Sequence, residues 1–207
     1  MAQYRCTQCG SIVEAEEGVK VGKCPSCGAL FVFPNDFPQK AALYRRAADM
    51  RDAGNFAAAQ VNYGRILKID ATETEAHWGY LLSRYGVEVV KSGENYGQIL
   101  FHRLETASFT QDPSYGKMLE YCPQEARYYY QGMSRRIEEM HGKMLEIARR
   151  QGDFDIYLAC TQGPGAAAYQ LANQVGAALD GAGYRVFLPC TMLEGVPEGE
   201  KNLYEMA

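Results

Sequence analysis

The hydrophobic pattern changes period along the chain, and the changes mark its elements. Near the C-terminus, Asp155-Ile156-Tyr157-Leu158-Ala159-Cys160 and Tyr184-Arg185-Val186-Phe187-Leu188 are short apolar runs bounded by turn residues, the pattern of buried strands. Between them Leu171, Val175, Ala178, Leu179 and Ala182 recur at helical spacing. Strand, helix, strand predicts a parallel βαβ unit, and a parallel pair is normally buried on both faces. Upstream the period is helical. Asp36-Phe37-Pro38-Gln39 has the form of a helix start, followed by Leu43, Ala47 and Met50 and a stop at Gly54-Asn55. A second helix carries Phe56, Ala59, Tyr63, Ile66 and Leu67. A third starts at the capping-box pattern Thr72-Glu73-Thr74-Glu75 and presents Trp78, Leu81, Leu82, Tyr85 and Val89. From Lys91 to Ser114 the period fades among Gly93, Gly97 and Pro113, which predicts a loop with a short ordered piece around Ile99 to Leu104. Pro123-Gln124-Glu125 then opens a helix of about 27 residues, roughly 40 Å long. It is lined by Tyr130, Met133, Ile137, Met140, Met144, Leu145 and Ala148, and Arg149-Arg150 suit its C-terminal dipole.

Composition narrows the class without naming it. The chain has 207 residues, 47% of them hydrophobic and 22% charged, with a formal charge of −4. That is an ordinary globular composition with no bulk basic field for nucleic acid or a membrane surface. No apolar run approaches the roughly 20 residues that cross a bilayer, and no secretory leader precedes the first cysteine, so the expected compartment is the cytosol.

Seven cysteines change the picture, because four of them form two near-identical knuckles, Cys6-Thr7-Gln8-Cys9-Gly10 and Cys24-Pro25-Ser26-Cys27-Gly28, with fourteen residues between. Two residues between thiolates let one tight turn aim both sulfurs at a single ion, and the following glycine permits the turn. Four thiolates close a tetrahedral site. The expectation is a structural Zn2+ in a ribbon over the first 35 residues, whose metal-binding energy is its folding energy. Within that ribbon Arg5, Lys20 and Lys23 balance Glu14, Glu16 and Glu17, so it carries no phosphate footprint. Its closing run Leu30-Phe31-Val32-Phe33 is apolar on both faces and predicts packing against another element or a partner. His77, His102 and His141 lack metal-ligand spacing and read as structural or surface residues. Cys122, Cys160 and Cys190 read as buried small residues.

The turn Thr161-Gln162-Gly163-Pro164-Gly165 falls between the first C-terminal strand and its helix, where α/β folds hold phosphates on backbone N–H groups. Thr161, Gly163 and Gly165 are thus candidate nucleotide-binding residues. The other reading is a glycine-rich turn that simply reverses the chain, and no acid stands at the end of the second strand to hold a ribose.

The spacing of Ala47, Gly54, Phe56, Ala59, Tyr63, Leu67 and Asp70, with Glu75-Ala76 after it, resembles one tetratricopeptide (TPR) repeat and the first helix of another. A plain helical bundle is the alternative. The whole chain resembles bacterial Toll/interleukin-1 receptor (TIR) domain proteins that carry a four-cysteine zinc ribbon and helices before the TIR domain. The residues that carry the likeness are the two knuckles, Glu75-Ala76-His77-Trp78, Arg84-Tyr85-Gly86-Val87-Glu88, His102-Arg103, Phe154-Asp155-Ile156-Tyr157, Gly183-Tyr184-Arg185-Val186-Phe187 and Leu193-Glu194.

The resemblance implies a multidomain α+β protein. A small β zinc ribbon would occupy 1–35, an α-helical, TPR-like and long-helix region 36–150, and the N-terminal part of an α/β, flavodoxin-like TIR domain 151–207. It implies a signalling or defence role, self-association through a contact loop at Leu193, Glu194 and Gly195, and NAD+ as substrate of the family's hydrolysis at the nicotinamide–ribose bond. The family's catalytic glutamate lies in a later helix, and no residue here takes its role. The chain is therefore expected to stop within the TIR domain and to be inactive alone. A non-enzymatic adaptor built on ribbon and helices, and a nucleotide-binding βαβ module, are the competing functions.

Overall fold

A computed structural model describes residues 2–15, 18–35, 37–92, 95–151, 154–160 and 165–206. The architecture is mixed α and β, and the described chain forms two compact units, Met1–Lys143 and Met144–Glu205. No described helix is long and apolar enough to cross a membrane.

The first unit begins with two antiparallel hairpins, one for each cysteine knuckle. Strands β1 (Ala2–Arg5) and β2 (Ile12–Ala15) pair around the first knuckle, and β3 (Val21–Lys23) and β4 (Leu30–Val32) around the second. Tyr4 stacks on Phe31 at 5.5 Å, and Phe33 meets Phe31 edge-on at 4.7 Å. Gly22 lies under these rings, where a Cβ would stand 2.7 Å from Phe31, so the ribbon's small core has no room for a side chain there. As the two-faced apolar run Leu30-Phe31-Val32-Phe33 predicts, the ribbon is not freestanding. Tyr4 also packs edge-on against Tyr44 of the next element at 5.7 Å.

Helices α1 (Phe37–Asp52), α2 (Phe56–Ile69) and α3 (Thr74–Arg84) follow and pack in sequence. The expected start of α1 at Asp36 lies outside the described residues. Gly54 takes a φ of 70° after α1, and the Asn55 side chain caps α2 by accepting from Ala58 N–H at 3.1 Å. The small residues Ala47 and Ala59 are fully buried. On α3, Gly79 lets the helix come so near Tyr63 that a Cβ would meet the ring at 2.3 Å. Trp78 is buried with its indole edge-on to Tyr130.

Three expectations for the next segment fail. Helix α3 ends at Arg84, with Tyr85 N–H bonding to Leu81 O at 3.0 Å and Gly86 at a φ of 60°, so Val89 is not helical. The loop expected from Lys91 is in its first part an antiparallel pair, β5 (Val87–Ser92) with β6 (Asn95–Phe101), and the expected ordered piece around Ile99 is the end of β6. Val87 and Val89 point inward while Glu88 points to solvent, the period of a half-buried strand. Pro113 is not a breaker either: it opens α4 (Pro113–Tyr121) at the first helical turn, where a missing N–H is harmless, behind the Asp112 cap. A 3-10 turn at Phe109–Gln111 precedes it. The long helix α5 (Gln124–Gln151) has 28 residues, and Tyr130, Met133, Ile137 and Met144 are buried on it as the pattern predicts.

In the second unit β7 (Ile156–Tyr157) and β8 (Val186–Phe187) pair in parallel, joined through α6 (Ala167–Gly181), followed by α7 (Pro189–Met192) and α8 (Glu198–Met206). The βαβ order is as the pattern predicts, but its burial is not. Ala172 and Gly176 are the buried residues of α6, and a Cβ on Gly176 would stand 3.5 Å from Leu188. Leu171 is 60% exposed and Tyr157 54%. The helix approaches the strands on its small residues, so the larger members of the stripe lie beside the contact rather than in it.

Candidate metal centre

Each knuckle is the same turn built twice. Cys6 N–H bonds to Ser11 O and Gly10 N–H to Cys6 O, both at 2.9 Å; Cys24 N–H bonds to Ala29 O at 2.8 Å and Gly28 N–H to Cys24 O at 2.9 Å. Gly10 and Gly28 stand at φ of 71° and 75°, the left-handed conformation that closes such a turn. The two turns face each other and bring Cys6, Cys9, Cys24 and Cys27 together, with all four sulfurs within 4.8 Å of one another. Two of the separations are 3.7 Å (Cys6 to Cys27) and 3.6 Å (Cys9 to Cys24). A tetrahedron with metal–sulfur bonds of about 2.3 Å has edges of about 3.8 Å. The donor set and its dimensions therefore fit a metal ion, and among the described residues it is the one such grouping of ligand side chains.

The electrostatics point the same way. Burial pushes the Cys27 thiol up to about 12 and the Cys6 thiol further, while hydrogen bonds to Ser11, opposed by burial, hold Cys9 below the ordinary thiol range. A cation among four such close sulfurs supplies the opposite charge that makes them thiolates. Cys6 and Cys24 are buried and Cys9 and Cys27 half-buried. All four positions around an ion come from protein, which leaves no coordination site for substrate or water.

The surroundings of the knuckles carry no signal in the sequence pattern. Arg51 Nη1 donates to Thr7 O at 2.6 Å, and Arg5 Nε to Gly10 O at 3.2 Å. Arg5 is also paired with Asp49 at 2.7 Å and Asp52 at 2.8 Å on α1. Tyr129 of α5 donates to Gln8 inside the first knuckle. The more consequential group is Glu75, 1% exposed. Its Oε2 accepts from Tyr4 Oη at 3.2 Å and Thr7 Oγ1 at 3.0 Å; its Oε1 accepts from Val32 N–H at 3.0 Å and from the Tyr130 hydroxyl. Burial raises its pKa, against which all four hydrogen bonds pull. Two residues earlier, Glu73 accepts from Lys40 and, at 3.1 Å, from Tyr44 Oη, while Lys40 also reaches Asp70 at 2.9 Å.

Thr72-Glu73-Thr74-Glu75 is thus not a capping box. Glu73 occupies the cap position without a side-chain cap bond, and both glutamates turn inward as acceptors. Each is a charged residue at a helix start, where the sequence signal of a cap and that of a buried acceptor are the same. Of the histidines read as structural or surface residues, His77 and His141 are buried and bond to the carbonyls of Ala71 and Glu105 at 2.9 and 2.6 Å, while His102 is exposed and bonds to the Glu88 carboxylate at 2.9 Å.

The remaining candidates, Cys122 apart, lie in the second unit. Thr161 and Gly163 fall outside the described residues, and Gly165, at a φ of 94°, is the one member of that set the structure places. Leu193, the C-cap of α7, is buried, whereas Glu194 and Gly195 are exposed in the turn after it. Asp155 and Arg185 are bonded across the β7–β8 pair, with Arg185 Nη2 3.1 Å from Asp155 Oδ1. Cys122 is buried, as read, but Cys160 and Cys190 are half-buried. Comparison of the chain with protein-family models, with curated proteins and with solved structures found no match.

Proposed function

We propose that this chain is a signalling or defence protein of the bacterial TIR type, in which a structural Zn2+ holds the ribbon, ribbon and TPR-like helices form a platform for another protein, and the α/β unit is the TIR-like module through which copies associate. The observation that carries the platform role is the closed four-cysteine site. With every ligand position supplied by protein, the metal can fold the ribbon but cannot turn over a substrate. The softness of four thiolates and the tetrahedral dimensions favour zinc among common divalent ions. The TIR part of the reading rests on the residue likeness, and the parallel pair joined through α6, with Asp155 bonded to Arg185 across it, supports it. The chemistry implied by that likeness is NAD+ cleavage. The residues that match the family's boxes include none in the role of its catalytic glutamate, and binding is the role proposed for residues 1–207.

The test combines elemental analysis with a nicotinamide-release assay on purified 1–207. About one equivalent of zinc per chain is expected, with NAD+ cleavage at background. A ribbon whose residues 4–34 stay folded without metal would remove the ribbon reading. Robust nicotinamide release abolished by a single substitution within 154–207 would make the protein an enzyme instead. The adaptor alternative is favoured if a captured partner stays bound after deletion of 151–207.

A further inference from the structure

We infer that Glu75 is a latch through which metal occupancy of the ribbon controls the order of α3 and of the first-unit part of α5. The inference rests on the metal reading above and adds a mode of regulation to it. Three of the four donors to this buried carboxylate belong to the ribbon: Tyr4 on β1, Thr7 inside the Cys6–Cys9 knuckle, and the backbone N–H of Val32 on β4. Only Tyr130 belongs to the helices. The seam between ribbon and helices is apolar in part, with Tyr4 and Phe31 sharing one buried cluster with Tyr44 and Tyr63, but that packing is incomplete. Cavities of about 210 and about 240 Å3 flank the contact, and Thr7, Ala48 and Tyr63 line both. Other polar bonds cross the seam, from Arg5 to Asp49 and Asp52, from Arg51 to Thr7 O and from Tyr129 to Gln8, but Glu75 is the buried carboxylate on which three ribbon donors converge.

Without metal, a ribbon with so small a core does not hold its knuckles. Thr7, Tyr4 and Val32 N–H then leave together, and Glu75 keeps one donor inside the protein. A buried carboxylate so deprived must reach water, and the first turn of α3 opens to let it. Tyr130 loses its acceptor in the same event. Glu75 thus links a knuckle to α3 and, through Tyr130, to α5, beside the direct Tyr129–Gln8 bond.

Hydrogen exchange on the full chain tests this, with and without a thiol-competing zinc chelator, under reducing conditions, and with released zinc counted in the same sample. The expected result is that stripping the metal accelerates exchange by about a hundredfold in 74–84, with a marked increase in 124–143, in addition to the ribbon. In Tyr130→Phe the response of 124–143 falls while that of 74–84 persists. In Glu75→Leu, where no carboxylate remains to be exposed, the response of 74–84 to stripping is lost while that of the ribbon remains. If that variant does not fold, Thr7→Val serves, with a reduced response in 74–84. Zinc that is bound and released while wild-type exchange changes only within 4–34 overturns the latch and leaves the metal reading intact. The absence of any bound zinc overturns the metal reading itself.

Discussion

Glu73 and Glu75 are two residues apart, both buried, and provided for in different ways: one by the ammonium of Lys40, the other by hydroxyls and a backbone N–H. His77, two residues further on and 4% exposed, has neither kind of support. Its Nε2 lies on the Ala71 carbonyl, while Nδ1 is buried with no hydrogen-bond partner among the described residues. Burial therefore lowers its pKa, the hydrogen bond to Ala71 only partly offsetting it. In the native chain this ring stays neutral at a pH where the unfolded chain takes up a proton. A histidine held low contributes stability that is present above the ordinary value of about 6.5 and is lost as pH falls from there toward its native pKa. Urea unfolding at about pH 7.5 and about pH 5.5 checks the sign, with His77→Gln as the control in which metal ligands and carboxylates titrate alike. The wild-type chain should lose more stability than the variant over that interval; an equal loss would remove His77 from the acid sensitivity.

At the scale of elements, the approach of α3 to α2 depends on Gly79. A methyl group there would meet the buried ring of Tyr63, itself edge-on to Tyr44 at 6.3 Å. Gly79→Ala should destabilise the first unit by about 1–3 kcal/mol, overpacking outweighing the better helix propensity of alanine. Gly132→Ala, on α5 with nothing within 4 Å of the new Cβ, should stabilise it by about 0.5–1 kcal/mol. Urea titration followed by far-UV circular dichroism separates the two signs.

The same contrast explains what was legible beforehand. The knuckles could be read because ligand chemistry restricts both residue type and spacing, and the helices from 37 to 84 and 124 to 151 because their apolar period persists. The 87–101 hairpin was missed because Val89 continues the stripe of α3 in register, and only Gly86 at positive φ separates the two periods. On α6 the period was right and the face was wrong, since Ala172 and Gly176 make the close contact and are weaker hydrophobic signals than Leu171 and Val175. Glu75 had no signal of its own. Its partners lie 43 to 71 residues away in sequence, and a carboxylate beside a helix start is more often a cap.

For the whole molecule, division into two compact units predicts that unfolding is not a single transition. Calorimetry of the full chain should show two components, of which one shifts upward with zinc and downward with chelator while the other stays in place; one cooperative peak moving as a whole would contradict the division. The chain's single tryptophan adds a means of watching this from inside. Trp78 lies 3% exposed on the helix that carries Glu75, and its indole touches the ring of Tyr130, whose hydroxyl ends on that carboxylate. Its emission is native to the Met1–Lys143 unit, and the second unit is dark in that channel. Any loosening around the carboxylate changes the colour and quenching of this one fluorophore, which makes the unlabelled protein an optical readout of its own metal content.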